Sequence, residues 1–307
     1  MTTIDDYTTS SYTASDLPVF DKLLFLNDIV FAATDAADLL FATNLNPSTG
    51  RTDYRAACAM DFINAFKFYD MFALRDAEGR KGGVPFFPFF AAAGSGASRA
   101  AMLAQTDAVP VRSCWGGMAA FEARWFQRDA ARPAAPPLRF RAETDLFWDA
   151  SECCLIHADL AYAVARDADV ADGAGGGGGV FVNPYVRVAY SARAHAWLAF
   201  TRRFERLYTL AHAVANVAAR LPAAQLRRTE APGARVLHAE WVYDGPAAAA
   251  NASLAVADVG HWETRRRVAR PGGFCGYRFM LTLKERWAPG ERMWEKIEAP
   301  AGWSEEG

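Results

Sequence analysis

The sequence predicts an α/β fold, an open sheet flanked by helices, on three observations. Short apolar runs of strand length recur along the chain, two of them end in carboxylates, and helix-patterned segments stand between them. At 307 residues with 52% hydrophobic, 13% aromatic and 22% charged side chains, the chain can bury a large core. A wholly disordered or low-complexity chain is thereby excluded. The expected division is a poorly ordered segment over residues 1–19, one domain over 20–300 and a tail over 301–307.

Leu23 to Phe31 (LLFLNDIVF) reads as a buried parallel strand interrupted by Asn27 and Asp28. Thr34 is then placed to cap a short helix over DAADLLFAT, and Tyr54 to Phe62 (YRAACAMDF) forms a second strand carrying Asp61 near its end. From Phe66 to Phe90 the chain is aromatic and punctuated by Gly and Pro, which fits either a lined cleft or an aromatic core. Val109 to Phe121 (VPVRSCWGGMAAF) gives a strand, a glycine turn and a further apolar stretch. RPAAPP at 132–137 is a surface loop, Asp149 to Ala165 a helix, and Ala171 to Gly179 a glycine-rich insertion. Val180 to Tyr190 reads as a strand broken at Pro184, and Ala192 to Leu221 as helical. The Ala/Arg-rich stretch Pro222 to Thr264 has no clear pattern, and Tyr277 to Lys284 is a strand.

Composition excludes several classes of partner. Lys and Arg number 33 against 35 acids, for a net charge of -2, and no basic stretch is dense enough to track a nucleic acid backbone. The apolar windows fall short of the roughly 20 residues a membrane span requires. The N-terminus, acidic and rich in Ser and Thr, has no signal-peptide pattern. Five cysteines, an odd number, argue against a disulfide framework and leave at least one thiol unpaired.

Asn27 and Asp28 at the mouth of a sheet offer oxygen ligands to a hard divalent cation (Mn or Mg) shared with a diphosphate, the logic of sugar-nucleotide transferases. A turn or helix cap uses the same two residues. The literal DxD at Asp167 and Asp169 precedes a glycine run and reads as a solvated loop. Trp115 supplies a platform for a sugar ring, and Gly116 and Gly117 allow close backbone approach. In WDASECCLIHADL, Asp149 and Glu152 have capping-box spacing, while Glu152 and Asp159 share one helical face with His157 on the next. Cys153 and His157 at i, i+4 make half a zinc site with no convincing second half.

The segments FLNDIVF, ACAMDF, FYDMFALRDAEG, SCWGGMAAF, RFR, WDASECCLIHADL, VNPYVRVAY and GGFCGYRFMLTLKERWAPGERMWEKI, in this order, resemble the fungal capsule-associated α-1,3-mannosyltransferases, the cryptococcal mannosyltransferase-like glycosyltransferase family 69. The resemblance covers most of Phe20 to Pro300. It implies a GT-A-like transferase using GDP-mannose, a glycan acceptor and a divalent metal, with retention of configuration, in the Golgi or secretory lumen. It places Asn27 and Asp28 at the metal, and Asp61, Trp115, Gly116 and Gly117 at the donor sugar. Glu152 becomes the candidate acid facing the anomeric carbon, with Asp149 and His157 as alternatives. The family pattern also implies a longer N-terminal portion with an anchor and the first nucleotide-binding units, so the expected domain is incomplete at its start. Two competing expectations are a non-catalytic transferase-like protein that binds sugar or a partner transferase, and a thiol or zinc enzyme built on Cys153, Cys154 and His157.

Overall fold

The computed structural model describes residues 19–81, 83–127, 137–141, 151–166, 179–219, 233–243, 260–269, 279–284, 286, 288 and 294–298. Asp149, the loop around 132–136, the acids at 167 and 169, most of the glycine-rich insertion, GGFCG and the two termini lie outside them. The strands are β1 (Lys22–Leu26), β2 (Ala56–Phe62), β3 (Arg75–Asp76), β4 (Val109–Ser113), β5 (Met118–Glu122), β6 (Val180–Ala189), β7 (Arg235–Tyr243), β8 (Gly260–Val268), β9 (Phe279–Leu283) and β10 (Trp294–Glu298). The α-helices are α1 (Ala33–Phe41), α2 (Ala97–Ala104), α3 (Glu152–Arg166), α4 (Ala192–Arg202) and α5 (Tyr208–Ala219).

β1 to β6 form one open sheet in the order β1-β5-β2-β6-β4-β3. The fold class is therefore α/β, with a mixed sheet: β2 and β6 are parallel, while the other neighbouring pairs are antiparallel. All seven residues of β2 are buried, as a strand covered on both faces requires. Their side chains alternate between two cores. Cys58, Met60 and Phe62 pack on one face with Ile156, Leu160 and Val164 of α3, Met102 of α2 and Leu198 of α4. Ala57 and Ala59 face the other way, with Val186, Val188 and Leu39 of α1.

β1 departs from the expected buried parallel strand. It is an edge strand, antiparallel to β5 and only half-buried, and it ends at Leu26. Its apolar residues are accounted for by one covered face and by aromatic packing of Phe25 on Phe121 and Phe140. α1 starts at Ala33, where Asp35 accepts the Ala32 backbone N–H at 2.7 Å, so a carboxylate inside the first turn does the work assigned to Thr34. β6 runs through Pro184 without ending. Its register against β2 jumps there, from Val182 opposite Cys58 to Arg187 opposite Met60, so the proline's missing N–H falls in the irregularity. The aromatic stretch after β2 is mostly core: Phe68, Phe87, Phe89 and Phe90 are buried, and Tyr69 is exposed.

The cysteine count misled in one respect. Cys58 and Cys114 form a disulfide across 56 residues, and Cys153 is a free thiol. Antiparallel pairs β7/β8 and β9/β10 complete the described strands; the first falls partly in the Ala/Arg-rich stretch, where alternation is weak.

Candidate active site

The C-terminal ends of β1, β2 and β6 meet the start of β5, and the turn that feeds β5 is Trp115-Gly116-Gly117. Both glycines have positive φ, +61° and +69°. A Cβ at Gly116 would collide with the Ala59 carbonyl oxygen, and one at Gly117 would lie 2.7 Å from Ile29 Cγ2 and 3.4 Å from Asp61 Cβ. Only glycine lets this turn lie flat against β2. The disulfide adds a covalent tie, because Cys114 immediately precedes the turn and Cys58 sits in β2.

One half-buried carboxylate holds the turn from below. Asp70 Oδ2 accepts the backbone N–H of Trp115 and of Gly116, both at 3.1 Å, and Asp70 Oδ1 accepts that of Ala73 at 2.9 Å. The Asp70 N–H in turn donates to Asp61 Oδ1 at 3.0 Å, and the Tyr190 hydroxyl donates to Asp61 Oδ2 at 2.7 Å. Asp61 and Asp70 are thus neighbouring carboxylates, the first buried and the second half-buried. Burial first, and the Asp70 charge second, push the Asp61 pKa up to about 7, against the opposing pull of its hydrogen bonds. Burial also raises that of Asp70, although its three backbone N–H bonds act the other way.

The folded protein therefore keeps a proton on Asp61 that the unfolded chain releases in the ordinary carboxylate range. Stability falls as pH rises from about 4, the unfolded carboxylate value, towards the folded value of about 7. Asp61→Asn is expected to flatten this slope, as read by denaturant unfolding at mildly acidic and mildly alkaline pH. A variant with the parent's pH dependence would remove Asp61 as its source.

Asn27 and Asp28 follow β1 directly and form the exposed rim. The Asn27 N–H donates to the Gly117 carbonyl at 2.9 Å, and Trp115 Nε1 donates to Asn27 Oδ1 at 3.2 Å. The Trp115 ring, half-buried, rests against Phe25 and Phe140 with centroids 5.8 and 6.2 Å away. Glu152 opens α3 and is exposed, after Ser151, whose carbonyl accepts from Cys154 and Leu155. The next residue, Cys153, packs with Trp115 against Ala73 and Cys154, and burial, together with the Glu152 and Asp70 charges, raises its thiol to about 12. Such a thiol stays protonated and unreactive at neutral pH.

Asn27 thus touches Trp115 and Gly117, Asp61 lies beside Gly117 and is linked to Trp115 and Gly116 through Asp70, and Glu152 stands one residue from Cys153, which packs against the same Ala73/Cys154 cluster as Trp115. His157 lies deeper. It is fully buried, stacked on Phe121 with centroids 5.4 Å apart, and its Nε2 is 2.6 Å from the Cys114 carbonyl. Its neighbours in the core are Cys58 and Cys114, whose sulfurs are bonded to each other and so are not thiolate ligands for zinc. Asp159 is held by Arg141 through two bonds of 2.7 and 3.1 Å. Two residues of the site, Asp70 and Tyr190, carry no motif; a single acid amid aromatics in FYDMF, and a tyrosine closing an apolar strand, are the signals they leave.

Residues 5–159 match the family described as cryptococcal mannosyltransferase 1. The chain belongs to this family. The matched span holds Asn27, Asp28, Asp61, Asp70, Trp115, Gly116, Gly117 and Glu152, while Tyr190 lies beyond it. Among curated proteins and among solved structures, nothing matches. Membership in a mannosyltransferase family gives the chain a role in mannosyl transfer, in which a sugar donor and an acceptor must both be bound.

Proposed function

We propose that this mannosyltransferase-family protein transfers mannose from GDP-mannose to a glycan acceptor on a GT-A-like plan, forming an α-1,3 linkage with retention. The observation that carries the reading is the convergence of Asn27, Asp61 and the Trp115-Gly116-Gly117 turn at the carboxyl ends of β1 and β2, where open α/β sheets take their ligands. Trp115 offers an aromatic face for a sugar, and the two glycines bring the backbone of the turn close against β2 and Asp61. Glu152, at the positive end of the α3 dipole, sets its carboxylate against the positive charge that develops at the anomeric carbon. Asp61, with Tyr190 on one oxygen, holds a proton near neutrality beneath the sugar position.

A divalent cation fits the rim. The Asp28 carboxylate is exposed and has no partner among the described residues, and Asn27 adds an amide oxygen beside it, a hard oxygen donor pair that the diphosphate of the donor completes. When bound, the cation neutralises the leaving diphosphate. The buried Cys58–Cys114 disulfide supports an oxidising compartment, in keeping with the Golgi or secretory lumen.

The test is calorimetry of the full chain with GDP-mannose and manganese, followed by transfer to an α-mannoside acceptor. Saturable heat and product are expected. Asp28→Ala is expected to keep the parent's melting temperature and to need about tenfold more manganese or higher for the same rate, since it removes one charged ligand. Heat without product would favour a sugar-binding protein that does no chemistry; no heat at all would end the donor assignment.

A further inference from the structure

We infer that the face formed by α4 and α5 docks on an anionic lipid surface, a second binding surface separate from the sugar site. Trp197, Phe200 and Phe204 are each about half-exposed, and their rings run in contact along α4 and just past its end, with centroids 5.6 and 5.2 Å apart. The exposed apolar stripe continues through Leu207, Leu210 and Val214, which are 74%, 75% and 62% exposed. A soluble face seldom shows six such side chains in one segment of chain.

The charges around this stripe have one sign. Residues 192–219 contain four arginines, Arg193, Arg202, Arg203 and Arg206, and one acid, Glu205. That acid is buried and consumed by Arg187 at 2.6 Å, so it faces the core. Arg193, Arg203 and Arg206 are exposed, and Arg202 lies over the Tyr185 ring at 3.8 Å. Exposed Lys67 adds a cation beside Phe66, whose ring is 6.3 Å from that of Tyr208. Asp35, 3.7 Å from His195, is paired near the start of α4.

Aromatic and leucine side chains flanked by arginines, with no free acid in residues 192–219, match the boundary between acyl chains and anionic headgroups. A second copy of the same face fits poorly, because a self-complementary contact would bring the arginines of both copies together with no acid between them. No helix among the described residues is long and apolar enough to cross a membrane, so the contact is a surface one.

Flotation of the full chain with phosphatidylcholine vesicles, with and without phosphatidylserine, tests this. The parent is expected to float with the phosphatidylserine vesicles and to remain below with phosphatidylcholine alone. Leu207→Glu/Leu210→Glu is expected to lose flotation while melting like the parent, since both side chains point to solvent. Arg203→Glu/Arg206→Glu should weaken binding by about tenfold or more, each cation near the surface being worth roughly fivefold. Failure of the parent to float with either vesicle overturns the inference, as does equal flotation with both. A parent that sediments as a dimer which Leu207→Glu/Leu210→Glu disperses, without vesicle binding, would assign the face to self-association instead.

Discussion

Replacing Glu152 by Gln is expected to lower mannosyl transfer by about a hundredfold or more, with the melting temperature within a degree or two of the parent. The side chain is exposed at the first residue of α3, so the substitution leaves packing untouched and removes only a charge favoured by the helix dipole, at a cost of about 0.3–1 kcal/mol. Shape and hydrogen-bonding reach survive in glutamine. A group whose role is to close the helix would tolerate the change, whereas a carboxylate set against a developing oxocarbenium charge would not. Single-turnover rates at saturating GDP-mannose separate the two, and a fully active Glu152→Gln protein would remove this residue from the chemistry.

Asp70→Ala is expected to lower stability by about 2 kcal/mol or more, because three part-buried backbone N–H groups lose their acceptor. Release of the desolvated charge offsets part of that cost. Asp70→Asn should fare little better. Its two oxygens face donors on both sides, Ala73 on one and Trp115 with Gly116 on the other, so an amide must point an N–H at another N–H. Donor affinity should fall with stability, since the turn that approaches the sugar loses its support. An Asn variant that melts and binds GDP-mannose like the parent would show the three bonds to be dispensable.

Much of this site was legible from local pattern. LLFLNDIVF and YRAACAMDF read as strands because apolar runs of that length have few other uses, and WGG read as a turn because paired glycines rarely serve elsewhere. What local pattern does not contain is pairing. β1 was misplaced as a buried parallel strand because its partner, β5, is specified some 90 residues later, and an apolar edge strand packed by aromatics looks the same in sequence as a central one. Asp70 escaped for a related reason: its ligands Trp115 and Gly116 become neighbours only when the sheet closes. The Cys58–Cys114 bond was hidden by parity, an argument that counts thiols and says nothing about which of them meet. His157 was legible as a helical neighbour of Glu152, but the depth of the core on that side was not.

The sheet order has a bearing on how the chain can be divided. β6 is threaded between β2 and β4, so the two halves of the sheet, β1-β5-β2 and β4-β3, are joined through a strand that is synthesised after both. The family-matched span, residues 5–159, ends before that strand. Cut there, the polypeptide would carry nearly every polar group of the site yet leave β2 with a bare edge, apolar except for Asp61, a template for pairing between molecules. During synthesis the same edge waits for Val180 to emerge, which makes the interval between Glu152 and β6 the one in which a nascent chain most needs protection. The evolutionary unit of recognition and the unit of folding in this protein are therefore different lengths of chain.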